Sequence, residues 1–323
     1  MNEFELIDRF FARAPRNSHV RVGVGDDAAI VIPHPNTELV VSVDMLVGGR
    51  HFFADADPEL IGHKTLAVNL SDMAAMGALP RWALLAGALP AADREWLTAF
   101  ARGFFALADA YHVELVGGDT TQGPLNLCVT IMGEVPVGRG LLRSGARAGD
   151  DVYVSGRLGD AALALAALVG ETRLAPEALA RCRARLDRPQ PRVGLGLALR
   201  DVASAALDVS DGLTGDLGHI LERSRVGATV DLASLPRSAA LDQKLNGNER
   251  ALALQCLLAG GDDYELCFTA GVERRDAIAA IATREHCVLT RIGTITELPG
   301  LMLLDEHGTP MAAPAAFDHF AAA

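Results

Sequence analysis

The chain has 323 residues, half of them hydrophobic, and a formal net charge of -12. This length accommodates two ordinary domains with hydrophobic cores, and no uncharged apolar run is long enough to span a membrane. The negative charge argues against nucleic acid as a partner, because binding a phosphate backbone requires a basic surface. An acidic protein that handles phosphates would need divalent cations as intermediaries.

The first residues indicate a cytoplasmic location. They read Met-Asn-Glu-Phe-Glu-Leu-Ile-Asp, which is acidic and lacks the basic and apolar regions of a signal peptide. The five cysteines include no C-x-x-C pair. We therefore predict reduced thiols in the core, and neither a disulfide framework nor a zinc site.

The N-terminal region predicts an amphipathic helix over residues 3–14, followed by a glycine-rich turn with two acids. Gly23-x-Gly25-x-x-Ala28 superficially matches a dinucleotide-binding fingerprint. The match fails because β-branched residues follow where a helix is needed, and Asp26 and Asp27 occupy the place of a pyrophosphate. Two adjacent carboxylates on such a turn suit a cation better, and a solvated turn is the alternative.

The next segment predicts a strand that ends on Asp44, a loop containing His51, and a helix that begins at Asp57-Pro58. This helix carries Asp72 among apolar and small residues, with Asn69 one turn before it. An ionised carboxylate on a buried helix face is costly unless a cation meets it, which favours a metal site. A partly exposed acid, or one paired with a distant arginine, is the alternative.

A second amphipathic helix over residues 91–112 includes Tyr111, and a strand then leads into Gly117-Gly118-Asp119. The glycines would leave backbone N–H groups open to a phosphate, and Asp119 would point towards a metal. Arg143 would suit a phosphate clamp, although a lone arginine is more often a surface residue.

The pattern restarts near residue 150, which predicts an N-terminal domain over residues 1–148 and a C-terminal domain over residues 149–323. In Asp208-Val-Ser210-Asp211, strand alternation places Asp208 and Ser210 on one face of a strand end. The segment Gly-Gly-Asp262-Asp-Tyr-Glu-Leu leads into another strand. The chain thus resembles two α+β halves that share a crevice.

The recurrent acids indicate magnesium chemistry. The acids at positions 26, 27, 44, 72, 119, 208 and 211 lie at turns, strand ends or an apolar helix. They cannot converge without cations, because like charges raise one another's pKa. Mg²⁺ prefers oxygen ligands shared between carboxylates and substrate phosphates, whereas zinc spacings and the P-loop motif are absent. The residues alone predict Mg²⁺-dependent phosphate chemistry and name no substrate.

The motifs taken together resemble the thiamine-monophosphate kinase family, which belongs to the aminoimidazole ribotide synthetase-like superfamily. The matching segments span nearly the whole chain in family order: Gly25-Asp-Asp-Ala-Ala, Ser42-Val-Asp44, Ala67-Val-Asn-Leu-Ser-Asp-Met-Ala-Ala-Met-Gly-Ala, Val116-Gly-Gly-Asp-Thr-Thr, Asp208-Val-Ser-Asp-Gly-Leu and Gly260-Gly-Asp-Asp-Tyr-Glu-Leu.

The resemblance implies an α/β fold of the α+β type, with an N-terminal sheet domain that pairs in a homodimer and a C-terminal α/β domain. It implies ATP bound between the domains and direct in-line transfer of its γ-phosphoryl group to thiamine monophosphate. The product would be thiamine diphosphate, in the last step of its biosynthesis. Another ATP-dependent enzyme of the superfamily, or a non-catalytic nucleotide-binding protein, is the alternative.

The resemblance also implies roles for individual residues, without a covalent catalytic residue. Several Mg²⁺ ions would be held by Asp27, Ser42, Val43, Asp44, Asp72, Asp119, Asp208 and Asp211. ATP would contact Tyr111, Gly118, Asp119, Arg143 and Ser210, and thiamine monophosphate would contact His51, Asp262 and Phe317. Three positions depart from the family: Val43 replaces threonine and offers only its carbonyl, Asp262 is shorter than the usual glutamate, and Phe317 lacks a polar handle.

Overall fold

The computed structural model describes residues 2–16 and 18–314. It divides into two compact units, the first built from residues up to Met73 and Ala78–Gly140, the second from Ala74–Gly77 and residues from Leu141 onward. In sequence the two units change over between residues 140 and 141, and a short segment of the first half belongs to the second unit. Hydrogen bonds explain this: Leu141 N donates to Met76 O at 3.0 Å, and Arg200 Nε donates to Gly77 O at 2.5 Å.

The first unit combines a sheet, a hairpin and helices. Its elements are α1 (Glu3–Phe10), β1 (Val20–Val22), β2 (Ile30–Val31), β3 (Thr37–Val47), α2 (Pro58–Ala75), β4 (Leu79–Leu89), α3 (Arg94–Ala110), β5 (Glu114–Gln122) and β6 (Asn126–Pro136). Within the described residues, β1 and β2 form an antiparallel hairpin, and a four-stranded sheet has the order β3-β6-β4-β5. Strands β4 and β5 run parallel, and the other neighbours are antiparallel.

Strand alternation separates the two faces of this sheet. On β6, Leu127, Val129 and Ile131 are buried at the core face. On the edge strand β3, the alternate residues face the other way, and their side chains remain between 46% and 60% exposed: Leu39, Val41, Val43 and Met45. We call this second side, to which the β3 stripe belongs, the open face of the sheet.

The second unit is built around a larger sheet. Its elements are β7 (Asp151–Ser155), α4 (Asp160–Leu168), α5 (Pro176–Asp187), α6 (Val193–Leu199), β8 (Ala205–Val209), α7 (Leu213–Ser224), β9 (Gly227–Asp231), α8 (Ala239–Leu245), α9 (Arg250–Ala259), β10 (Glu265–Ala270), α10 (Arg275–Arg284), β11 (Leu289–Thr296), β12 (Gly300–Leu304) and β13 (Pro310–Met311). In the part of the chain that the structure describes, these strands form a seven-stranded sheet with the order β13-β12-β9-β11-β7-β10-β8. None of the described helices is long and apolar enough to cross a membrane.

Helices α2 and α3 approach each other through two glycines. A Cβ added at Gly62 would lie 2.1 Å from Phe100 O, and one added at Gly103 would lie 1.9 Å from Glu59 O. Both distances are far below van der Waals contact, so any side chain at either position would push the helices apart. This contact fixes α2, and with it Asp72, relative to the rest of the first unit.

We expect Gly103→Ala to lower the free energy of unfolding by about 2–3 kcal/mol, because overpacking against backbone cannot be relieved by a rotamer change. Gly218→Ala is the matched control, since nothing lies within 4 Å of its added Cβ in helix α7. That change should stabilise by about 0.5–1 kcal/mol through helix propensity. Urea unfolding measures the free energy of unfolding of both variants, and equal values would contradict the close contact between α2 and α3.

Candidate active site

Polar side chains of α2 meet Ser42 and Asp44 of β3, a strand that continues to Val47 and does not end on Asp44 as predicted. Asp72 accepts a hydrogen bond from Ser42 Oγ, and Asn69 Oδ1 accepts one from Asp44 N at 3.2 Å. Asn69 is fully buried, and its Nδ2 donates to Thr65 O at 3.0 Å, which fixes the amide. The structure therefore brings together Ser42, Asp44 and Asp72, three of the residues predicted as metal ligands. Val43 lies between Ser42 and Asp44, and its side chain is on the open face.

His51 lies in the loop after β3 and is held through its ring and its backbone. Val47 N donates to His51 Nδ1 at 3.0 Å, so the other ring nitrogen carries the proton in a neutral ring. Lys64 Nζ donates to His51 O at 3.4 Å, and Lys64 is only 4% exposed. Sequence reasoning missed Lys64, although a lysine inside an otherwise apolar helix segment was the available signal.

A cavity of about 870 Å³ lies in the first unit, on the open face of the sheet. Its lining includes Asp27 from the hairpin, Gly118 and Asp119 from β5, and Cys128 from β6. Burial, followed by the charge of Asp44, raises the pKa of the Cys128 thiol, so this cysteine is not activated as a nucleophile. The cavity thus groups two predicted metal ligands with a predicted ATP contact.

The structure corrects one sequence expectation at Asp119. Strand β5 does not end before the glycines but continues through Gly117, Gly118 and Asp119, which pair with Leu84, Leu85 and Ala86 of β4. Because β4 neighbours β6, the ladder places Asp119 on the same face as Cys128 and Met45, opposite to Asp44. A bulge in β5 beside Ala83 and Leu84 sets this register.

Asp44 and Asp119 also lie on opposite edges of the sheet. Strands β3 and β5 are separated by three inter-strand spacings of about 4.8 Å, or about 14 Å. Across the described residues, no group of three or more His, Cys, Asp and Glu side chains is placed to hold a metal ion. The convergence of the predicted acids on shared metal ions stays a prediction.

In the second unit, Asp208 lies near the end of β8, and the turn after this strand carries Ser210 and Asp211. Asp216, in the first turn of α7, accepts hydrogen bonds from Ser210 N and Asp211 N, both at 3.0 Å. Ser210 O accepts from Asp262 N at 2.8 Å, and Val209 O accepts from Tyr264 N at 2.8 Å. The structure therefore joins the predicted ATP contact Ser210 to the predicted substrate contact Asp262.

The loop that contains Asp262 has an unusual backbone. Asp262 and Tyr264 have φ values of 68° and 50°, in the left-handed region that residues with a side chain rarely adopt. Tyr264 Oη donates to Asp262 Oδ1 at 3.1 Å. Non-glycine residues with such φ values concentrate at functional sites, so the backbone indicates that this loop belongs to one. Tyr264 is a candidate functional residue that sequence reasoning missed.

The other two acids of the loop have structural partners. Asp263 is buried, and its two carboxylate oxygens accept from Gly159 N at 2.9 and 3.0 Å. Glu265 is fully buried and accepts from Ser155 Oγ at 2.5 Å, and it also binds Arg185 and Arg192. Of the three acids, only Asp262 combines strained backbone with partial exposure.

Burial changes the acidity of Asp216. Desolvation raises its pKa to about 7, helped by the charges of Asp208 and Asp211, and the N–H donors of Asp211 and Ser210 oppose this rise. The charges of Asp208 and Asp211 act on Asp216 because both residues lie close to it, and Asp211 donates its N–H to the Asp216 carboxylate. Such crowding of like charges beside a turn is typical of functional sites.

Three predicted contacts remain, one in each unit and one outside the described residues. Tyr111 follows the last turn of α3, where its N–H donates to Leu107 O at 3.1 Å. The side chain of Arg143 is exposed, and its carbonyl accepts from Ser224 Oγ at 3.4 Å. Phe317 lies outside the described residues.

Comparisons with known proteins place these features in a family. The chain matches the models of AIR synthase related protein, with the N-terminal domain at residues 25–135 and the C-terminal domain at residues 147–305. It is 45% identical to thiamine-monophosphate kinase of Salmonella typhimurium, over 99% of this chain and 98% of the relative. The chain belongs to the thiamine-monophosphate kinase family. The family member of Bacillus subtilis is 38% identical, over 92% of both chains.

Solved structures of thiamine-monophosphate kinases share the fold. The enzyme from Stenotrophomonas maltophilia has a TM-score of 0.86 and 51% identity, covering 93% of this chain and 96% of that chain. AaThiL in complex with AMPPCP and TMP has a TM-score of 0.78 and 31% identity, covering 90% and 89%. E. coli HypE, a hydrogenase maturation protein, shares the fold alone at 20% identity. The predicted two-domain aminoimidazole ribotide synthetase-like fold is confirmed.

Proposed function

We propose that the chain transfers the γ-phosphoryl group of ATP to thiamine monophosphate and forms thiamine diphosphate. The observation that carries this proposal is full-length similarity to thiamine-monophosphate kinases, including the solved complex with AMPPCP and TMP. The hydrogen bond between Ser42 and Asp72, and those that hold the backbone of Ser210 and Asp211, support it, because phosphoryl transfer depends on precise positioning.

The acceptor chemistry needs little from acid–base catalysis. The acceptor oxygen belongs to a phosphate that is already ionised at neutral pH, so no strong general base is required. The oxygen attacks the γ-phosphorus as the bond to the β-phosphate oxygen breaks, and ADP leaves. We infer direct in-line transfer without a phosphoenzyme, because the ionised acceptor oxygen can itself attack the γ-phosphorus.

The donor set fits Mg²⁺. The proposed ligands are the carboxylates of Asp27, Asp44, Asp72, Asp119, Asp208 and Asp211, the hydroxyl of Ser42 and the carbonyl of Val43, all hard oxygen donors. When bound, Mg²⁺ would neutralise charge on the phosphates of both substrates. The protein's own part is to hold Asp72 on a rigid helix and Ser42 on a paired strand, so that their oxygens keep a fixed separation.

The proposed substrate contacts lie on the turn with Ser210, on the loop with Asp262, and at single residues elsewhere. We assign ATP to Tyr111, Gly118, Asp119, Arg143 and Ser210, and thiamine monophosphate to His51, Asp262 and Phe317. In a neutral ring the proton of His51 is on Nε2, since Nδ1 accepts from Val47 N. The carboxylate of Asp262 suits the cationic thiazolium or the aminopyrimidine of thiamine, and Tyr264 orients it.

The test of the function is the conversion itself. Purified protein with ATP, Mg²⁺ and thiamine monophosphate should form thiamine diphosphate and ADP in equal amounts, followed by chromatography. Unphosphorylated thiamine serves as the control acceptor and should give no diphosphate. ADP formed only with a different acceptor would reject thiamine monophosphate as the substrate.

Tyr264→Phe should raise the KM for thiamine monophosphate about tenfold, because it removes the hydroxyl that orients the Asp262 carboxylate. The KM for ATP should stay within about twofold. Tyr153→Phe is the matched control, since Tyr153 Oη donates to Asp151 Oδ2 at 3.4 Å elsewhere in the second unit. Steady-state kinetics of both variants checks the role, and an unchanged KM in Tyr264→Phe would exclude it.

We also propose that two copies pair through the open faces of their first-unit sheets. The support is the exposed apolar stripe on β3 beside the largely apolar lining of the cavity, since exposed apolar patches mark interaction surfaces. In a twofold dimer the same surface serves both copies.

Val41→Glu should therefore convert the dimer to a monomer, raising the dissociation constant about 100-fold or more by placing a charge in an apolar interface. Leu298→Glu is the control, because Leu298 is 80% exposed and lies in the second unit. Light scattering after gel filtration measures the mass of each variant. A monomeric wild-type protein at micromolar concentration would reject the dimer.

A further inference from the structure

Asp216 binds the turn Ser210–Gly212 at three points. Its Oδ2 accepts from Ser210 N and Asp211 N at 3.0 Å each, and its own N–H donates to Gly212 O at 3.0 Å. The side chain is 4% exposed. The carboxylate of Asp216 and the N-terminus of α7 therefore fix the backbone of Ser210, Asp211 and Gly212.

Close packing of neighbouring backbone at Gly212 and Gly261 restricts the conformation of this turn. Gly212 has φ of +105°, and a Cβ there would lie 2.6 Å from Ala259 C. A Cβ at Gly261 would lie 2.3 Å from Ser210 O, which also accepts from Asp262 N. The turn is packed between α9 and the Asp262 loop, and Asp216 supplies the remaining anchor.

A carboxylate is an expensive choice for this anchor. Asp216 is buried next to Asp208 and Asp211, which carry the same charge, and an apolar residue would avoid both costs in a purely structural position. No apolar side chain can accept two N–H groups, however, and a buried N–H without a partner is costly. The arrangement fits a requirement for a fixed orientation of Ser210 and Asp211.

We propose that Asp216 is a positioning residue that sets Ser210 and Asp211 for the binding of the Mg²⁺–ATP pair. This rests on the proposed function, in which Ser210 contacts ATP and Asp211 binds Mg²⁺. Asp216 touches neither substrate; it acts through the two peptide N–H groups. Its removal changes the affinity for the metal–nucleotide pair more than the affinity for thiamine monophosphate.

The test compares three replacements of Asp216, which separately change its charge, its hydrogen-bond acceptor and the position of its carboxylate oxygen. Asp216→Asn keeps an oxygen at the same place without the charge and should stay within about threefold of wild type. Asp216→Leu removes the acceptor and should raise both the half-saturating Mg²⁺ concentration and the KM for ATP about 10- to 100-fold, as loss of a supporting partner of a metal ligand does. Asp216→Glu keeps the charge but displaces the oxygen, and should fall between them.

The readouts include one that needs no turnover. Binding of Mn²⁺ in the presence of ATP, followed by electron paramagnetic resonance without thiamine monophosphate, should weaken in the same order of variants. The KM for thiamine monophosphate should move less than about threefold. Asp150→Leu is the matched control: Asp150 is buried in the same unit and accepts from Arg147 N at 3.0 Å and Ser204 Oγ at 2.6 Å. It should lower stability without changing Mn²⁺–ATP binding.

Each outcome decides the proposal. An Asp216→Asn variant as defective as Asp216→Leu would overturn it, because the charge and not the acceptor would then matter. Unchanged Mn²⁺–ATP binding in folded Asp216→Leu would overturn it as well. If Asp216→Leu does not fold, wild-type Mn²⁺–ATP binding in Asp216→Glu would overturn the proposal. Failure of the wild type to phosphorylate thiamine monophosphate would reject the proposed function, whereas the Mn²⁺–ATP comparison would still judge Asp216.

Discussion

Replacing Asp72 by asparagine should lower turnover about 100-fold or more at millimolar Mg²⁺ and raise the Mg²⁺ concentration needed for half activation. Asp72 lies on a helix fixed by the glycine contact with α3, and its carboxylate already accepts from Ser42 Oγ. Asparagine keeps an oxygen for that hydrogen bond, so the local structure is retained while the charge is lost. Loss of several kcal/mol of charge stabilisation corresponds to at least two factors of ten.

The measurement is the Mg²⁺ dependence of thiamine diphosphate formation, and the control is Glu59→Gln. Glu59 lies in the first turn of the same helix and pairs with Arg102 at the surface, where a carboxylate contributes little. Its replacement should leave turnover and Mg²⁺ dependence unchanged. Near-normal turnover of Asp72→Asn at low Mg²⁺ would show that Asp72 is not a ligand of the catalytic Mg²⁺.

Replacing Glu265 by glutamine should lower the free energy of unfolding by about 3–5 kcal/mol, because it leaves two arginines without their buried counter-charge. Glu265 is 0% exposed, and Arg192 donates to it through Nε at 2.7 Å and Nη2 at 2.6 Å, with Arg185 beside them. Ser155 Oγ completes the group. The network ties β10 to β7 and to the segment before α6.

Urea unfolding followed by circular dichroism measures this loss, with Glu273→Gln as the control. The side chain of Glu273 is 71% exposed and lies 3.9 Å from Arg274, so its replacement should cost less than about 0.5 kcal/mol. The two variants differ mainly in burial of the ion pair. Equal urea midpoints would show that the Glu265 network contributes no net stability.

Local signals allowed the sequence to predict several elements. The Asp57-Pro58 start and the Gly77 stop predict α2, which the structure places at Pro58–Ala75. The helix predicted from about residue 91 begins at Arg94 because Asp93 caps it through Glu95 N and Trp96 N. Helix α8 was missed, since seven residues give too short a periodic pattern.

Non-local pairing explains what the sequence could not predict. The glycines before Asp119 read as a turn, but β4 and β6 provide a ladder that continues β5 through them. The face of the sheet on which Asp119 lies depends on a bulge and on the strand order, and a local sequence pattern predicts neither. The link between Ser210 and Asp262 likewise joins residues far apart in the chain.

The Ala74–Gly77 segment makes the second unit discontinuous in sequence. A fragment that begins at Leu141 would lack the carbonyls of Met76 and Gly77, to which Leu141 N and Arg200 Nε donate. A fragment that ends at Gly140 would carry these carbonyls without their donors. No single cut between the units therefore yields two complete pieces, and split versions of the protein would have to reassemble by docking the segment Ala74–Gly77 at the end of α2 onto the second fragment.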